Sequence, residues 1–541
     1  MLSGLQAGHA GAEAAPEVPR GARRLRVALA LYAVVQVAHI IWQTRHFGVR
    51  GDELITLQWS TLPVEGVIRV TGEDIHPPLY YLVLHVALSP PVDPIVAGKL
   101  LSLVMTLALL RLVPVVAAEF GFARRVGEAG LVLTAMSPLL WQHGVTIRPY
   151  PMAAVLYVVC VVAALRVAAT GSARARCALA GALVLIVYVN YLAALCALIT
   201  VNLLYLSRRD RVVSGRNWMA TQLAAVPFLL PLVPLALNQT RDAAGIATST
   251  GIASSGLAGA AARFVYWFYG VVTGETLAQP FLLALLCGVL VLLVAHGVVG
   301  RSRMPAEARR ALLACAAVAL VAPVTYAVVA SLVFRGELFT AGPARTLFAV
   351  PFVALALAQS LTSQMRVERP GKAAALAVAL SVCWIAAGAN EVLGRDYFHG
   401  TDSVPRAAIA RLVREKAGTD GQVLVDAPFG NDIVHMLARE GISARMVSRD
   451  SSDAYRAQAE AVLARMPARL VLVRYNRDLT GGSSTWFLGR LSGAYPAFVP
   501  LASYAPTSGL VRWIDARAGR NDPSHQVTVY LGSKRAPAPA P

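Results

Sequence analysis

Two short polar stretches interrupt an otherwise apolar chain: RGDEL at residues 50–54 and EDIHPPLYY at residues 73–81. Together they hold four carboxylates and a histidine, namely Asp52, Glu53, Glu73, Asp74 and His76. A carboxylate near a membrane surface can act as the general base that takes the proton of an acceptor hydroxyl. A second acid and a histidine beside it can orient a substrate or hold a divalent cation. The alternative is that these acids are only solvated in a loop.

Two arginines each precede an apolar run, Arg148 in IRPYP and Arg345 in GPARTLFAVP. A guanidinium group can clamp a phosphate through two parallel hydrogen bonds. An arginine at the end of a membrane helix can instead extend its side chain toward water. Acids that activate a hydroxyl, combined with arginines that hold a phosphate, favour a lipid-phosphate substrate whose head lies at the membrane surface.

The composition indicates a polytopic α-helical membrane protein. Of the 541 residues, 56% are hydrophobic and 15% are charged, the mean hydropathy is +0.57, and the apolar residues form long runs. The net charge of +19 comes mostly from arginine, much of it in short loops between these runs. No nucleic-acid partner is expected, because no base-reading motif accompanies this charge. All six cysteines lie in or at the ends of apolar runs, which argues against a disulfide framework.

About 11 apolar segments are candidate membrane segments. They are residues 26–43, 78–90, 96–120, 127–142, 150–166, 178–206, 217–237, 280–299, 311–334, 343–365 and 373–389. The run 78–90 has only about a dozen apolar residues, which predicts an interfacial or re-entrant segment. Alternatively, the early topology is shifted by one crossing. The run 178–206 lies between two basic loops, so it is predicted to cross and return with a bend near Asn190.

The basic loops give the orientation, because arginine-rich loops remain in the cytoplasm. They are residues 123–125, 166–176, 207–216, 301–310 and 366–372. A disordered N-terminus, residues 1–24, is then cytoplasmic. The extracytoplasmic parts are residues 44–77, 142–150, 238–279 and 335–345, and everything after about residue 390. The four acids, His76, Arg148 and Arg345 all fall on this outer face.

The outer parts contain elements of their own. Within the first outer loop, the apolar spacing of LITLQWSTLPVEGVIRV predicts one helix lying on the membrane. From about residue 405, QVLVDAP, RLVLVRYN and HQVTVYLGS are typical of strands, and NDIVHMLAREG and DAYRAQAEAVLARM of amphipathic helices. This alternation predicts an α/β domain within residues 391–535, followed by a disordered tail, residues 536–541.

The motifs together resemble the GT-C superfamily of glycosyltransferases. GDE in the first outer loop, HPPLYYLVLH, RPY before a later span and PARTLFAVP before a late span occur in that order. The likeness is to the branch of protein mannosyltransferases and the aminoarabinose transferase of lipid A, and it covers about residues 25–390. It implies a transmembrane domain whose first outer loop, residues 44–77, is catalytic. One departure is Thr346, since many relatives have a tyrosine after the arginine.

The resemblance implies an inverting transfer from a polyprenyl-phosphate sugar to an acceptor at the extracytoplasmic face. Asp52 would be the general base and Glu53 would support or orient it. His76 would contact the donor phosphate or a metal, with Asp52 and Glu53 as further ligands of a Mg, Mn or Zn ion. Arg148 and Arg345 would neutralise the leaving polyprenyl phosphate.

The alternative function is a flippase or transporter of lipid-linked sugars. A transporter is expected to place charged residues along a path near the bilayer midplane, whereas the acids here gather at one surface. The sequence does not identify the sugar, nor whether the acceptor is a lipid, a protein or a polysaccharide. The C-terminal domain is expected to bind the acceptor or a partner, or to cap the site.

Overall fold

The computed structural model describes fourteen ranges of the chain. They are residues 20–49, 51–74, 76–208, 211–239, 257–274, 304–333, 342–366, 370–392, 404–418, 421–427, 431–448, 452–476, 483–504 and 526–534. The predicted segment 280–299 and the tail 536–541 lie outside the described residues, as do residues 1–19 of the predicted disordered N-terminus.

Helices make up the first part of the chain. They are α1 (Arg20–His46), α2 (Gly51–Ser60), α3 (Val64–Gly72), α4 (Leu79–Ala87), α5 (Pro94–Glu119), α6 (Arg124–Met136), α7 (Pro138–His143), α8 (Tyr150–Thr170), α9 (Ala173–Val189) and α10 (Tyr191–Ser207). They continue with α11 (Gly215–Leu223), α12 (Val226–Leu229), α13 (Leu257–Thr273), α14 (Ala306–Val333), α15 (Gly342–Arg345), α16 (Val350–Arg366) and α17 (Pro370–Val392).

Among the described residues, five helical segments are long and apolar enough to cross a membrane. They are Leu25–His46, Pro94–Glu119, Tyr150–Thr170, Gly215–Gln239 and Ala306–Val329. Shorter apolar helices cover Tyr191–Ser207, Leu347–Ser363 and Ala377–Val392. These elements agree with the predicted multi-pass architecture, although the full number of crossings stays a prediction.

The hydrophobic core of the bundle surrounds α8. That helix packs against α5, α9 and α10, and Tyr157 and Thr200 join α8 to α10 through a buried hydroxyl pair 2.6 Å apart. The bend predicted near Asn190 is confirmed. Asn190 ends α9 and caps α10 by accepting a hydrogen bond from the backbone N–H of Ala193 at 2.9 Å. Such a cap satisfies one of the unpaired N–H groups of a helix start.

Two predictions for residues 54–90 had different outcomes. The run 78–90 forms only the 9-residue helix α4, which is far too short to cross a bilayer, as predicted. The prediction of a single helix from residue 54 to residue 70 was wrong. The structure has two helices, α2 and α3, separated at residues 61–63, because Pro63 cannot continue α2 and instead leads into α3.

The bundle has two distinguishable ends, called here the outer and the inner end. Helices α5, α8 and α10 all finish at the inner end. The contacts between their ends show this: Arg166 lies 2.6 Å from Glu119, and Arg208 donates to the Glu119 carbonyl at 3.3 Å. At the outer end α5 and α8 begin, next to α2 and α4. The junction of α8 and α9, with Arg174 and Arg176 in the first turn of α9, and the basic loop after α10 therefore lie at the inner end.

The C-terminal part is an α/β domain, as predicted. Its helices are α18 (Arg406–Ala417), α19 (Asn431–Arg439), α20 (Ser452–Leu463) and α21 (Ser483–Ala494). Its strands are β1 (Gln422–Ala427), β2 (Ala444–Ser448), β3 (Arg469–Tyr475), β4 (Ala497–Tyr504) and β5 (Val527–Ser533). The sheet order is β2-β1-β3-β5-β4, with β1 parallel to β2 and β3, and with β5 antiparallel to β3 and β4.

Helices cover both faces of this sheet. Alternate residues of β1 point to opposite sides, so Val423 and Val425 pack with α18 and α19, whereas Leu424 packs with Tyr455 of α20 and Phe487 of α21. The result is a three-layer sandwich. The sequence analysis identified β1, β3, β5, α19 and α20, and it missed β2, β4, α18 and α21.

Candidate active site

The acid pair opens helix α2 at the outer end, and its two members have different surroundings. Asp52 and Glu53 both lie in the first turn, where a negative charge favours the helix dipole. The side chain of Asp52 is 72% exposed, whereas that of Glu53 is 2% exposed. Because neighbouring residues on a helix point about 100° apart, one acid can face solvent while the other enters the core.

Glu53 joins three elements of the outer end. Its Oε1 accepts a hydrogen bond from Lys99 Nζ of α5 at 3.3 Å and another from the backbone N–H of Ile147 at 2.9 Å. Lys99 is itself buried. The carboxylate thus links α2 to α5 and to the segment that carries Arg148, so this geometry fits the supporting role predicted for Glu53.

The segment before α8 is also held by hydroxyl groups of α5. Ser102 Oγ donates to the carbonyl of Thr146 at 2.6 Å, and Thr106 Oγ1 donates to the carbonyl of Gly144 at 2.6 Å. These bonds satisfy buried carbonyls that have no helical partner. They fix the path of the backbone directly before Arg148.

Arg148 is buried and points toward α2. Its Nη1 donates to Thr56 Oγ1 at 3.1 Å and to the Asp52 carbonyl at 3.4 Å, and its Nη2 lies 3.6 Å from Asp52 Oδ2. The guanidinium carbon lies 5.8 Å from the centre of the Tyr150 ring. A buried cation therefore faces an exposed carboxylate at the outer end of the bundle.

His76 orients this arginine from the other side. Arg148 Nη2 lies 3.1 Å from His76 Nε2, and His76 Nδ1 lies 3.2 Å from Asp74 Oδ2. A guanidinium can only donate, so Nε2 is the acceptor and Nδ1 carries the proton that is donated to Asp74. The geometry therefore assigns a neutral histidine with its hydrogen on Nδ1.

Electrostatics agree with a neutral His76. Burial has the largest effect and lowers the pKa of His76; the hydrogen bond to Asp74 raises that pKa, and the charge of Arg148 lowers it. The charge of Arg345, the half-buried last residue of α15, lowers it as well. Arg345 therefore lies within electrostatic range of the residues gathered around Arg148.

The sequence analysis missed several residues of this cluster or ranked them low. Asp74 was given no role in the predicted reaction, yet its carboxylate lies 3.2 Å from His76 Nδ1. Lys99 was missed, although a lone lysine in an apolar helix was a usable signal. Gln239 gave no signal: its Nε2 donates to the carbonyls of Thr71 at 2.8 Å and His76 at 3.1 Å.

Thr346, the departure from the family pattern, lies in the core. Its Oγ1 accepts a hydrogen bond from Trp267 Nε1 of α13 at 2.5 Å and donates to the Pro343 carbonyl at 3.1 Å. The hydroxyl thus joins α13 to the segment that carries Arg345. A threonine therefore has a structural function here.

The residues predicted to hold a divalent cation do not form a set of ligands. Across the described ranges, no group of three or more histidine, cysteine, aspartate or glutamate side chains could hold a metal ion. Glu53 is occupied by Lys99, and His76 Nε2 faces a guanidinium, which repels a cation. The three donors do not fit a shared ion, so no step of the chemistry below uses one.

No family model and no curated protein sequence matches the chain. Among solved structures, ArnT from Cupriavidus metallidurans in the apo state is similar, with 12% identity, a TM-score of 0.51, and coverage of 94% of this chain and 98% of ArnT. ArnT bound to undecaprenyl phosphate gives 13% identity, a TM-score of 0.47, and coverage of 96% and 100%. Arabinofuranosyltransferase AftD from Mycobacteria gives 18% identity and a TM-score of 0.46. The match to AftD covers 88% of this chain, and this chain spans only 37% of the length of AftD.

The similarity to apo ArnT shows the fold. The chain has the fold of ArnT, a multi-pass helical membrane bundle with an α/β domain after its last helix, which agrees with the resemblance of its motifs. At this level of identity the comparison concerns the fold alone.

Proposed function

We propose that the chain is an integral membrane glycosyltransferase that moves a sugar from a polyprenyl-phosphate donor to an acceptor hydroxyl. The observation that carries this proposal is the exposed carboxylate of Asp52, 3.6 Å from the buried guanidinium of Arg148, at one end of a GT-C fold. This arrangement combines a proton acceptor open to solvent with a fixed cation for a phosphate. The motif resemblance supplies the donor class.

In the proposed reaction, the oxygen of the acceptor hydroxyl attacks the anomeric carbon of the sugar. Asp52 takes the hydroxyl proton as the new bond forms. The bond between the anomeric carbon and the phosphate oxygen breaks, and its electron pair stays on the polyprenyl phosphate. Attack from the face opposite the leaving phosphate inverts the anomeric configuration.

Arg148 is assigned to the leaving phosphate. Its guanidinium is oriented in advance by Thr56 and His76, so little reorganisation is needed when negative charge develops. Its Nε is buried and has no hydrogen-bond acceptor among the described residues. A phosphate oxygen would supply that acceptor, and Arg345 would add a second positive charge.

The site is assigned to the extracytoplasmic face. Arg166 near the end of α8, Arg174 and Arg176 in the first turn of α9, and the arginine-rich loop after α10 lie at the inner end, and such basic clusters favour the cytoplasm. Asp52, His76 and Arg148 lie at the opposite end. On this orientation the C-terminal α/β domain is also extracytoplasmic, and the N-terminus is cytoplasmic.

The test is a donor and acceptor screen with the full chain in lipid nanodiscs. Radiolabelled polyprenyl-phosphate pentoses and hexoses are incubated with lipid, protein and polysaccharide acceptors. We expect one donor to release polyprenyl phosphate while its label enters an acceptor with the opposite anomeric configuration.

Two outcomes would contradict the proposal. If no donor is consumed, and undecaprenyl phosphate, the ligand in the second ArnT structure, is not bound, the function is wrong. If proteoliposomes move a labelled donor between leaflets without releasing its phosphate, the chain is a flippase. If the anomeric configuration is retained, the inverting mechanism is rejected and the assignment as a glycosyltransferase stands.

A further inference from the structure

The turn before α2 is held by the C-terminal domain, more than 350 residues away along the chain. Arg406, the first residue of α18, is 1% exposed, and its Nη1 donates to the carbonyl of Phe47 at 3.2 Å. Its Nε donates to Asp432 Oδ2 of α19 at 2.8 Å, and its Nη2 contacts the same oxygen. Arg406, which is ion-paired with Asp432, therefore also binds the backbone carbonyl five residues before Asp52.

Gly48 shows how closely α19 approaches this turn. Its φ is +73°, a conformation that side-chain-bearing residues rarely adopt. A Cβ placed on it would lie 2.7 Å from Met436 Sδ of α19. The backbone conformation favours glycine, and the Met436 side chain packs directly over this glycine, so the turn and α19 are in contact. Val49, the next residue, is fully buried.

Helix α19 also reaches the start of α5. Arg439 Nη2 lies 2.6 Å from Asp93 Oδ2, and the other carboxylate oxygen of Asp93 caps α5 by accepting from the N–H of Ile95 at 2.9 Å. Lys99, the partner of Glu53, lies six residues further along α5. The same helix of the C-terminal domain thus contacts both elements that fix the acid pair.

The location of these contacts within the α/β domain is informative. Tyr475 is the last residue of β3, and its hydroxyl lies 3.5 Å from Asp432 Oδ1. In open α/β sheets, the carboxyl ends of the strands near the switch in strand order are where ligands usually bind. Here Arg406 and Asp432, near that edge, hold a turn of the protein's own chain.

We propose that Arg406 and Asp432 are positioning residues for the transfer site. They hold the Phe47 carbonyl and thereby set the placement of Asp52 relative to Arg148. Only three residues separate Phe47 from α2, so the turn cannot shift without moving the helix that carries Asp52. The C-terminal domain therefore completes the site without contributing a catalytic residue. This inference rests on the proposed function for its activity readout only.

The test compares Arg406→Leu, Arg406→Lys and Asp432→Asn with wild type, all as full chains in nanodiscs. Arg414→Leu is the matched control, because Arg414 lies on the same helix and contacts Glu440 in an exposed pair. The first readout is amide hydrogen exchange of residues 51–60, which needs no substrate. The second is transfer at saturating donor, measured together with the affinity for undecaprenyl phosphate.

We expect Arg406→Leu and Asp432→Asn to speed exchange in residues 51–60 while the bundle helices stay protected. We expect the rate of transfer to fall about 10- to 100-fold with unchanged donor affinity, because misplacing a reacting group by about 1 Å has effects of this size. Arg406→Lys keeps a donor for both acceptors and should recover most of the rate. Arg414→Leu should match wild type.

Unchanged exchange in folded Arg406→Leu, or the same change in Arg414→Leu, would overturn the proposal. If Arg406→Leu does not fold, Asp432→Asn decides the question by the same two readouts. If wild type transfers no sugar, the proposed function fails, and the exchange measurement still decides whether the C-terminal domain holds the turn before α2.

Discussion

The two ends of the bundle differ in how they hold their charged side chains. At the inner end, Arg166 and Glu119 lie 2.6 Å apart, but their side chains are 52% and 23% exposed. At the outer end, Lys99 and Glu53 lie 3.3 Å apart and are 3% and 2% exposed. An exposed pair contributes about 0–1 kcal/mol to stability, whereas a buried pair is costly to desolvate and more costly to break.

The difference separates two uses of charge in one membrane protein. Charges at the inner end remain solvated, which suits loops that set topology. At the outer end Glu53, Lys99 and Arg148 are buried among hydrogen-bond partners, which fixes the positions of α2 and α5 relative to Arg148.

The largest effect is expected from breaking the buried pair. Lys99→Met should destabilise the protein by about 3–5 kcal/mol, because it leaves the Glu53 carboxylate buried without its cation. Arg166→Met at the inner end should cost about 0–1 kcal/mol. Thermal unfolding of both proteins in nanodiscs measures the difference, and the double variant Lys99→Met/Glu53→Gln should recover part of the loss. Equal unfolding temperatures for the two single variants would refute the contrast.

Arg148→Lys tests the geometry of the guanidinium while keeping its charge. An ammonium group cannot contact Thr56, His76 and a phosphate with the same planar set of donors. We expect undecaprenyl phosphate to bind about 10- to 100-fold more weakly, as for the loss of one charge-assisted hydrogen bond. The matched control is Arg124→Lys, an exposed inner-end arginine paired with Glu128. Similar affinity in both variants would remove Arg148 from the phosphate site.

His76 predicts a pH dependence. Protonated His76 cannot accept a hydrogen bond from Arg148, so transfer should fall in acid. Because the folded pKa is lowered, the fall should begin below the ordinary value of about 6.5. Folded stability should decrease as the pH falls from about 6.5 toward the lowered folded pKa, since in that window the unfolded histidine takes up a proton that the folded one does not.

The measurement is kcat/KM from about pH 5 to about pH 8, in wild type and His76→Gln. The glutamine variant keeps an acceptor for Arg148 and has no titrating group at this position. Its kcat/KM should therefore fall less in acid than that of wild type. If kcat/KM of His76→Gln falls in acid as it does in wild type, the titrating group is another residue.

The smallest effect is expected at Glu73. This acid is exposed on the outer end, next to the site in sequence. Glu73→Gln should change stability by less than about 0.5 kcal/mol and leave transfer unchanged. Thermal unfolding and the transfer assay check this together. A large loss of transfer would show that proximity to the site, and not burial or contact with Arg148, decides the importance of an acid.

Hydropathy and the positions of the basic loops predicted much of the helical bundle, because lipid-facing helices need long apolar runs and basic loops stay on one side of the membrane. The bend at Asn190 and the short α4 are examples. In the C-terminal domain, β1 and β3 were recognisable as buried apolar runs. Strand β4 was missed because it is an edge strand with half-exposed residues and an internal Pro500.

The candidate site was only partly predictable. Asp52, His76 and Arg148 were chosen from motifs, and the structure brings them within hydrogen-bond or ion-pair distance. The burial of Glu53 depends on Lys99 and Ile147, which are 46 and 94 residues away in the chain. Contacts of this range leave no periodic signal in one sequence. The contact of Arg406 with Phe47 was missed for the same reason.

The most direct test of the account is the single-turnover rate of transfer by Asp52→Asn at saturating donor. The account predicts a loss of about 10²- to 10⁴-fold, the usual contribution of a general base, with retained binding of undecaprenyl phosphate. Asparagine keeps the size of the side chain and cannot take up the hydroxyl proton. Transfer at the wild-type rate by a folded Asp52→Asn protein that binds donor normally would contradict the assignment of Asp52.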